Sequence, residues 1–402
     1  MIGTSLGEAR EPSDSVARWA RNGLAALTGD PASSPDFSRA GILGVADTAA
    51  APFGVPVEDL LAGRAALTGK RRQGRVSLGG KSRLVLARDA WFAITLARDS
   101  DVESVAALFT VSEKIDDPWA HIARAAPDWI AAELVERAQL LGIPAAKLGE
   151  AHGPAIVASR LWTQREPSKI DHDLLVVDLS AMWAGPLCGH LLNKLGATVV
   201  KVESPNRPDG ARSGNPDFFR WMNVEKRMLS TTLSDTNVDV AALMDEADVV
   251  IESSRPRALQ HLGLDAHSRR PRPGRVWVRI TGYGQAIGAR EKVAFGDDAA
   301  VAGGLVGYDR RGPVFCGDAI ADPLSGLEAA YAVTESLARG GGELIDVSMA
   351  GVAAKYASVP TCAASSNITP SPPRRPTISS SSWQHVDAPW VRHVIEKRTT
   401  RC

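Results

Sequence analysis

The chain has 402 residues, 44% apolar and 23% charged, and its 46 basic and 46 acidic side chains cancel. That length suits two or three domains with a sizeable core, and the neutral balance argues against binding nucleic acid or an anionic membrane through bulk charge. No apolar run approaches the ~18 residues of a membrane span. The opening MIGTSLGEAREPSDS lacks a signal-peptide layout, and Cys188, Cys316, Cys362 and Cys402 show no CxxC spacing. The expectation is a cytoplasmic protein without disulfide framework or zinc site.

Residues 1 to about 15 are polar and expected to fray. A helix is predicted over Ser15–Leu27, stopped by Thr28-Gly29-Asp30-Pro31, and a short helical segment between Gly54 and Gly69. Ser82–Leu86 and Trp91–Leu96 alternate around Ala87-Arg88-Asp89-Ala90 and read as a hairpin. Amphipathic helices follow at Asp101–Phe109 and Pro127–Leu141, the second closed by Gly142. From Leu174 the grammar changes to alternating strand and helix. Strands are predicted at Leu174–Leu179, Thr198–Glu203, Asp248–Glu252, Arg275–Thr281 and Leu344–Val347, with helices such as Val238–Glu246 between them. The expected fold is α/β: an open, mostly parallel Rossmann-like sheet with helices on both faces, plus a smaller α+β domain. The predicted division is 1–80 as a partial large-domain-like segment and 81–170 as the small domain. Residues 171–360 form the large domain, and 361–402, a Ser/Pro-rich tract, is expected to lack fixed structure.

The stretch LLVVDLSAMWAGPLCGHLLNKLGATVVKVE reads as strand, small-residue turn, helix, stop and second strand. Ala184-Gly185-Pro186 at the helix start would let an anion approach the backbone, or it is a plain tight turn. The spacing is not GxGxxG. Glu203, where an acid can meet a ribose, is equally a solvated strand end. Arg207, Arg212, Lys226 and Arg227 could hold a phosphate-rich ligand or line a solvated loop. In FCGDAIADPLSGLEAA, Asp322-Pro323 reads as a helix N-cap followed by proline. It is only a cap, or an ionised carboxylate able to attack an acyl centre; Asp318 is a rival. Thr281-Gly282-Tyr283-Gly284-Gln285 lies where open sheets place ligands, or is a structural turn. Asp297 and Asp298 are read first as helix-capping groups. No GxSxG and no metal-ligand spacing occurs.

Six motifs in fixed order carry a resemblance. They are VVDLSAMWAGPLCGHLLNKLGATVVKVE, MNVEKRMLS, ADVVIESSRP, VWVRITGYGQ, IADPLSG and GGELIDVSM. Together they resemble the large domain of the class III CoA-transferases of CaiB/BaiF type, a group that includes formyl-CoA transferase, carnitine-CoA enzymes and 2-methylacyl-CoA racemase. DAWFAITLA, DDPWAHIARAA and ELVERAQLLGIPAAKL resemble the same family's small domain, placed here ahead of the large-domain segment. The resemblance implies CoA transfer between an acyl-CoA and a free carboxylic acid. Asp322 would be the nucleophile, passing through an acyl-aspartyl anhydride and an aspartyl-CoA thioester. It implies CoA contacts from Met182, Trp183, Ala184, Gly185, Pro186, Glu203, Arg207, Lys226, Arg227 and Ser253. CoA enters as substrate, with no permanent cofactor and no metal, and the expected assembly is an interlocked homodimer. Two departures stand out: Ser253 replaces an Asn often linked to CoA, and the Phe295–Asp298 region lacks the racemase branch's His. Racemase or dehydratase chemistry, and a non-catalytic acyl-CoA-binding subunit, are the alternatives.

Overall fold

The structure is a computed structural model that describes residues 12–232, 238–363 and 368–400. Residues 1–11, on which the fraying expectation falls, lie outside the described residues. The strands are β1 (Ser82–Leu86), β2 (Trp91–Thr95), β3 (Ala145–Lys147), β4 (Ile156–Arg160), β5 (Leu175–Asp178), β6 (Thr198–Glu203) and β7 (Arg227–Ser230). They continue with β8 (Val249–Glu252), β9 (Val276–Thr281), β10 (Val306–Asp309), β11 (Gly312–Phe315), β12 (Glu343–Ser348) and β13 (Gln384–Val386). β1, β2 and β3 make a small antiparallel sheet, and β10 pairs with β11 alone.

The central sheet has eight strands in the order β13-β7-β6-β5-β8-β9-β12-β4, parallel throughout except for β4. Its inner strands are rich in Val, Ile and Leu, and β5 and β8 are buried along their whole length, as a sheet covered on both faces requires. From β5 the chain winds outward through β6 and β7, then crosses to β8 and winds the other way. That reversal between β5 and β8 is the topological switch point, where open α/β sheets leave a crevice beyond the strand C-termini.

One face carries the Ala184–Lys194, Ala321–Ala338 and Met349–Ala357 helices, and the other the Val238–Glu246 and Ala388–Thr399 helices. The Ala184–Lys194 and Ala321–Ala338 helices touch closely because Gly326 faces Ala184 O, where a Cβ would be only 2.5 Å away. Outside them, the Ile42–Ala50 and Val57–Thr68 helices of the N-terminal segment add a further layer against Ala321–Ala338.

The expectation of an unstructured 361–402 needs correction for its described part. β13 pairs with β7, and the Ala388–Thr399 helix buries Val391 on the sheet. Arg398 of that helix donates to the buried Asp248 carboxylate. Ser371 N–H donates to Ala20 O at 2.9 Å, and Trp383 packs on Phe219 with ring centroids 5.6 Å apart. Scattered aromatic and apolar anchors hold a tract whose composition has no periodicity of its own.

Candidate active site

Asp322 stands between two cavities and lines both. The first is the crevice at the switch point, about 260 Å³. Its walls include Ala181, Met182, Ala184 and Gly185 after β5, Ser253–Arg255 after β8, and Thr281 and Gly282 at the end of β9. The Ala181 N–H donates to Ser253 Oγ at 3.2 Å, joining two of those loops. Gly282 is needed for close approach, since a Cβ there would lie 2.7 Å from Ala294 Cβ. Arg98, Arg207, Arg255, Arg290 and Lys292 all face this crevice. Among the described residues, neither Arg207 nor Arg255 has an ion-pair partner, so both are free for an anionic ligand.

The second cavity, about 270 Å³, lies on the other side of Asp322. Trp183, Phe218 and Met182 supply apolar wall, and Arg64, Lys70, Lys81, Asp297 and Asp318 supply charge. Arg64 grips Asp318 with two hydrogen bonds, of 2.8 and 2.6 Å, and its guanidinium lies 4.3 Å from the centre of the Trp183 ring. Lys70 and Lys81 have no ion-pair partner among the described residues.

The helix bearing Asp322 begins at Ala321, with Ile320 at the cap position, so Asp322 sits inside the first turn. This corrects its reading as the N-cap. The approach to it is unusual: Ala319 adopts φ 42°, and Met182 across the cavity adopts φ 73°. A left-handed non-glycine residue costs roughly 1–2 kcal/mol, and such positions cluster where a site holds its backbone in place. Gly296 N–H donates to the Asp322 carboxylate, and a Cβ at Gly296 would overlap both Ala319 O and Asp322 Oδ2. Burial pushes the Asp322 carboxyl up to about 7; Arg64 opposes the rise, while Asp297 and Asp318 add to it. Burial, together with Asp318, likewise lifts Asp297 to about 6. Asp298, fully buried, rises to about 8. The expected capping role of the two acids divides. Asp298 accepts the Phe295 N–H at the start of its own helix, whereas Asp297 accepts the Ala319 N–H across the site at 3.1 Å.

The structure separates the residues expected to touch CoA. Met182, Ala184, Gly185, Arg207 and Ser253 border the crevice, and Trp183 borders the second cavity. Pro186 is buried in its helix. Glu203 faces Arg212 at 2.6 Å and accepts the Asp209 N–H; these partners outweigh burial and hold its carboxyl below the usual range. Lys226 is fully buried, and its ammonium donates to Asp178 at 2.8 Å, Pro186 O at 2.8 Å and Asn223 at 2.9 Å. All three of its donors are used inside the protein, so it is no ligand contact. Arg227 lies on β7, with its guanidinium 5.1 Å from the centre of the Trp390 ring and away from both cavities. Burial works against ionising Asp178, but Lys226 and Lys201 keep its carboxyl below the usual range. Lys201 in turn donates to Ser180 O at 2.6 Å, and Asp209 accepts the Met182 N–H at 3.0 Å. This buried charge network fixes the 180–182 loop from behind. Arg64, Lys70, Lys81, Arg98 and Arg255 were not anticipated from the sequence.

The fold and the crevice define a doubly wound α/β protein with a buried carboxylate beside a basic cleft. Residues 172–387, more than half of the chain, match the family described as CoA-transferase family III, and the chain belongs to that family. It is 30% identical over 204 residues to the succinyl-CoA–D-citramalate CoA-transferase of Chloroflexus aurantiacus, covering 46% of this chain and 50% of that protein. It is 30% identical over 198 residues to the succinyl-CoA:glutarate CoA-transferase of Mus musculus, covering 44% and 45%. The chain thus spans about half the length of the curated relatives it matches. A CaiB/BaiF family protein from Brucella suis aligns with TM-score 0.43 and 29% identity, over 47% of this chain and 55% of that one. Across all described residues, no helix is long and apolar enough to cross a membrane.

Proposed function

We propose that this protein transfers coenzyme A between an acyl-CoA thioester and a free carboxylic acid, with Asp322 as the nucleophile. The observation that carries this reading is the position of Asp322, among the described residues the one carboxylate bordering both the basic crevice and the second cavity. Arg207 and Arg255 would hold the phosphates of CoA in the crevice, beside Met182, Ala184, Gly185 and Ser253. The acyl group and the exchanging acid would occupy the second cavity. The relatives are named for citramalate and glutarate, and unpartnered Lys70 and Lys81 suit a second carboxylate, so we take a dicarboxylic acid as acceptor.

The ionised Asp322 attacks the thioester carbonyl; the C–S bond breaks and CoA leaves as thiolate, giving an acyl-aspartyl anhydride. The thiolate attacks the Asp322 carbonyl carbon and releases the donor acid as carboxylate, leaving an aspartyl-CoA thioester. The acceptor carboxylate attacks that thioester and expels the thiolate, which takes the acceptor acyl group from the new anhydride and regenerates Asp322. No net proton is consumed. By extension from the family, we take the assembly as a cytoplasmic homodimer, with mass measurement in solution as its check.

The test is incubation with an acyl-CoA donor and hydroxylamine, followed by mass spectrometry of the Asp322 peptide. A hydroxamate at Asp322, together with exchange of CoA onto an added dicarboxylic acid, is the expected outcome. α-Proton exchange on the acyl-CoA without CoA transfer would replace this reading with racemase chemistry. CoA binding without either reaction would make the chain a binding subunit.

A further inference from the structure

The turn that delivers Asp322, Cys316–Asp322, is held at Gly317 and Asp318 by a part of the chain that lies outside the family match. Thr28 Oγ1 accepts the Gly317 N–H at 3.1 Å. Arg64 takes the Asp318 carboxylate in a two-point grip. Asp297, which accepts the Ala319 N–H, is reached by the Ser82 hydroxyl at 3.3 Å. Three successive residues of the turn, two of them left-handed, are thereby fixed: Gly317 and Asp318 by groups more than 200 positions earlier, and Ala319 by Asp297, which Ser82 reaches from 215 positions earlier.

Among these groups Arg64 has a second property. Its guanidinium stacks on Trp183, the residue that starts the Ala184–Lys194 helix of the crevice, so it bridges the two walls that flank Asp322. Gly63 permits this placement: a Cβ there would meet the Trp221 ring at 2.5 Å, so the Val57–Thr68 helix can sit this deep only with glycine beside Arg64. The charges facing Asp322 are Asp297 on the Gly296–Ala302 helix, Asp318 on its own turn, and Arg64. The rim cations are Arg98, Arg207, Arg255, Arg290 and Lys292 on the crevice side, and Lys70 and Lys81 on the other. Arg64 is the cation placed within this cluster of acids.

We propose that Arg64 is a positioning residue for CoA transfer: it orients the Asp322 turn through Asp318 and supplies the positive charge that lets Asp322 ionise. This rests on the reading of Asp322 as nucleophile. Removing Arg64 leaves two acids, Asp297 and Asp318, near Asp322 with no cation among them, so Asp322 would hold its proton to higher pH.

Arg64→Met and Asp318→Asn break the same ion pair with opposite changes of charge. That opposition separates an electrostatic role from simple loss of packing. For Arg64→Met the acid limb of the kcat profile should move up by about one pH unit. kcat at pH 7 should fall about tenfold or more, with KM for acyl-CoA little changed. For Asp318→Asn the limb should move down. Arg64→Lys should bring the limb back toward the wild-type position while recovering only part of kcat, because an ammonium cannot make the two-point grip. Limbs that shift together, or that stay fixed in both variants, overturn the proposal. Should Arg64→Met not fold, the direction of the Asp318→Asn limb alone decides. If Asp322→Asn were fully active, the function reading itself would fail; an inactive Asp322→Asn with unmoved limbs in the other variants would sink only the role of Arg64.

Discussion

The two cavities that meet at Asp322 differ in origin. The crevice is built largely from loops after β5, β8 and β9, the positions any doubly wound sheet offers to a ligand. The second cavity is assembled from the Val57–Thr68 helix, the β1–β2 hairpin, the Pro216–Asn223 helix and the Cys316–Asp322 turn, and no general rule of the sheet predicts it. One side of Asp322 is thus inherited from topology. The other depends on how an N-terminal segment happens to pack against it, and that is where differences in substrate between members of one fold can arise. Variants should therefore separate into those that abolish chemistry, those that unseat the scaffold, and those that weaken binding on one side only.

The largest effect should come from Asp322→Asn, which sits on both sides at once. It should lower CoA transfer by on the order of 10³-fold or more while acyl-CoA still binds, checked by turnover and calorimetry. Wild-type activity should also rise with pH through about 7, since the carboxyl is held near that value and only its ionised form attacks. Lys226→Met comes next and probes stability. It leaves Asp178 charged, fully buried and without its ion-pair partner, a loss of about 3–5 kcal/mol for a broken buried pair. Denaturant unfolding should show it. Had Lys226 been a phosphate ligand, the same change would raise KM and leave stability alone.

The two cavities can then be set against each other. Arg207→Ala or Arg255→Ala should raise KM for acyl-CoA by roughly tenfold, more weakly at high salt, as for one lost charge-assisted contact. KM for the acceptor acid should not follow. Lys81→Ala should do the reverse by a smaller factor, about threefold, because an exposed ammonium binds through a screened charge. If both KM values moved together in either variant, the assignment of one substrate to each cavity would be wrong.

What the sequence reveals divides along the same line. β6 falls where its apolar run predicts, and the β1–β2 hairpin and the Gly142 stop at φ 74° also agree, because each is set by local pattern. Asp322 was visible as an acid at a helix start within an ordered set of motifs. Its proposed role still rests on the test above. Arg64 was not visible: it is one charge on an ordinary helix, 254 residues away from Asp318 along the chain. Lys226 failed for the opposite reason. Grouping charges along the chain counts them but says nothing of depth, and its partner Asp178 lies 48 residues earlier. The 368–400 tract misled because composition reports the absence of a periodic face, not the tertiary anchors Trp383, Trp390 and Val391.

The smallest effect concerns the acid furthest from the chemistry. Asp298 is held near 8 against an ordinary 3.8, chiefly by burial. Below about pH 4 it is protonated folded or unfolded, and its contribution to stability is at its fullest. Between 4 and 8 the unfolded chain gives up that proton while the folded chain keeps it, so stability declines as pH rises. The hydrogen bonds agree with a protonated Asp298. The Thr95 hydroxyl lies 2.8 Å from Ser82 Oγ and 3.0 Å from Asp298 Oδ1, and its single hydrogen can serve only one of them. With the proton on Asp298, that acid donates to Thr95, Thr95 donates to Ser82, and Ser82 donates to Asp297. Asp298→Asn keeps a donor at 298 and removes the titration. Its Tm should match the wild type at pH 4 and exceed it by a few degrees at pH 8, with kcat little altered. A Tm that falls equally at both pH values would mean that Asp298 is held as a carboxylate, and that the proton in this chain of hydroxyls lies elsewhere.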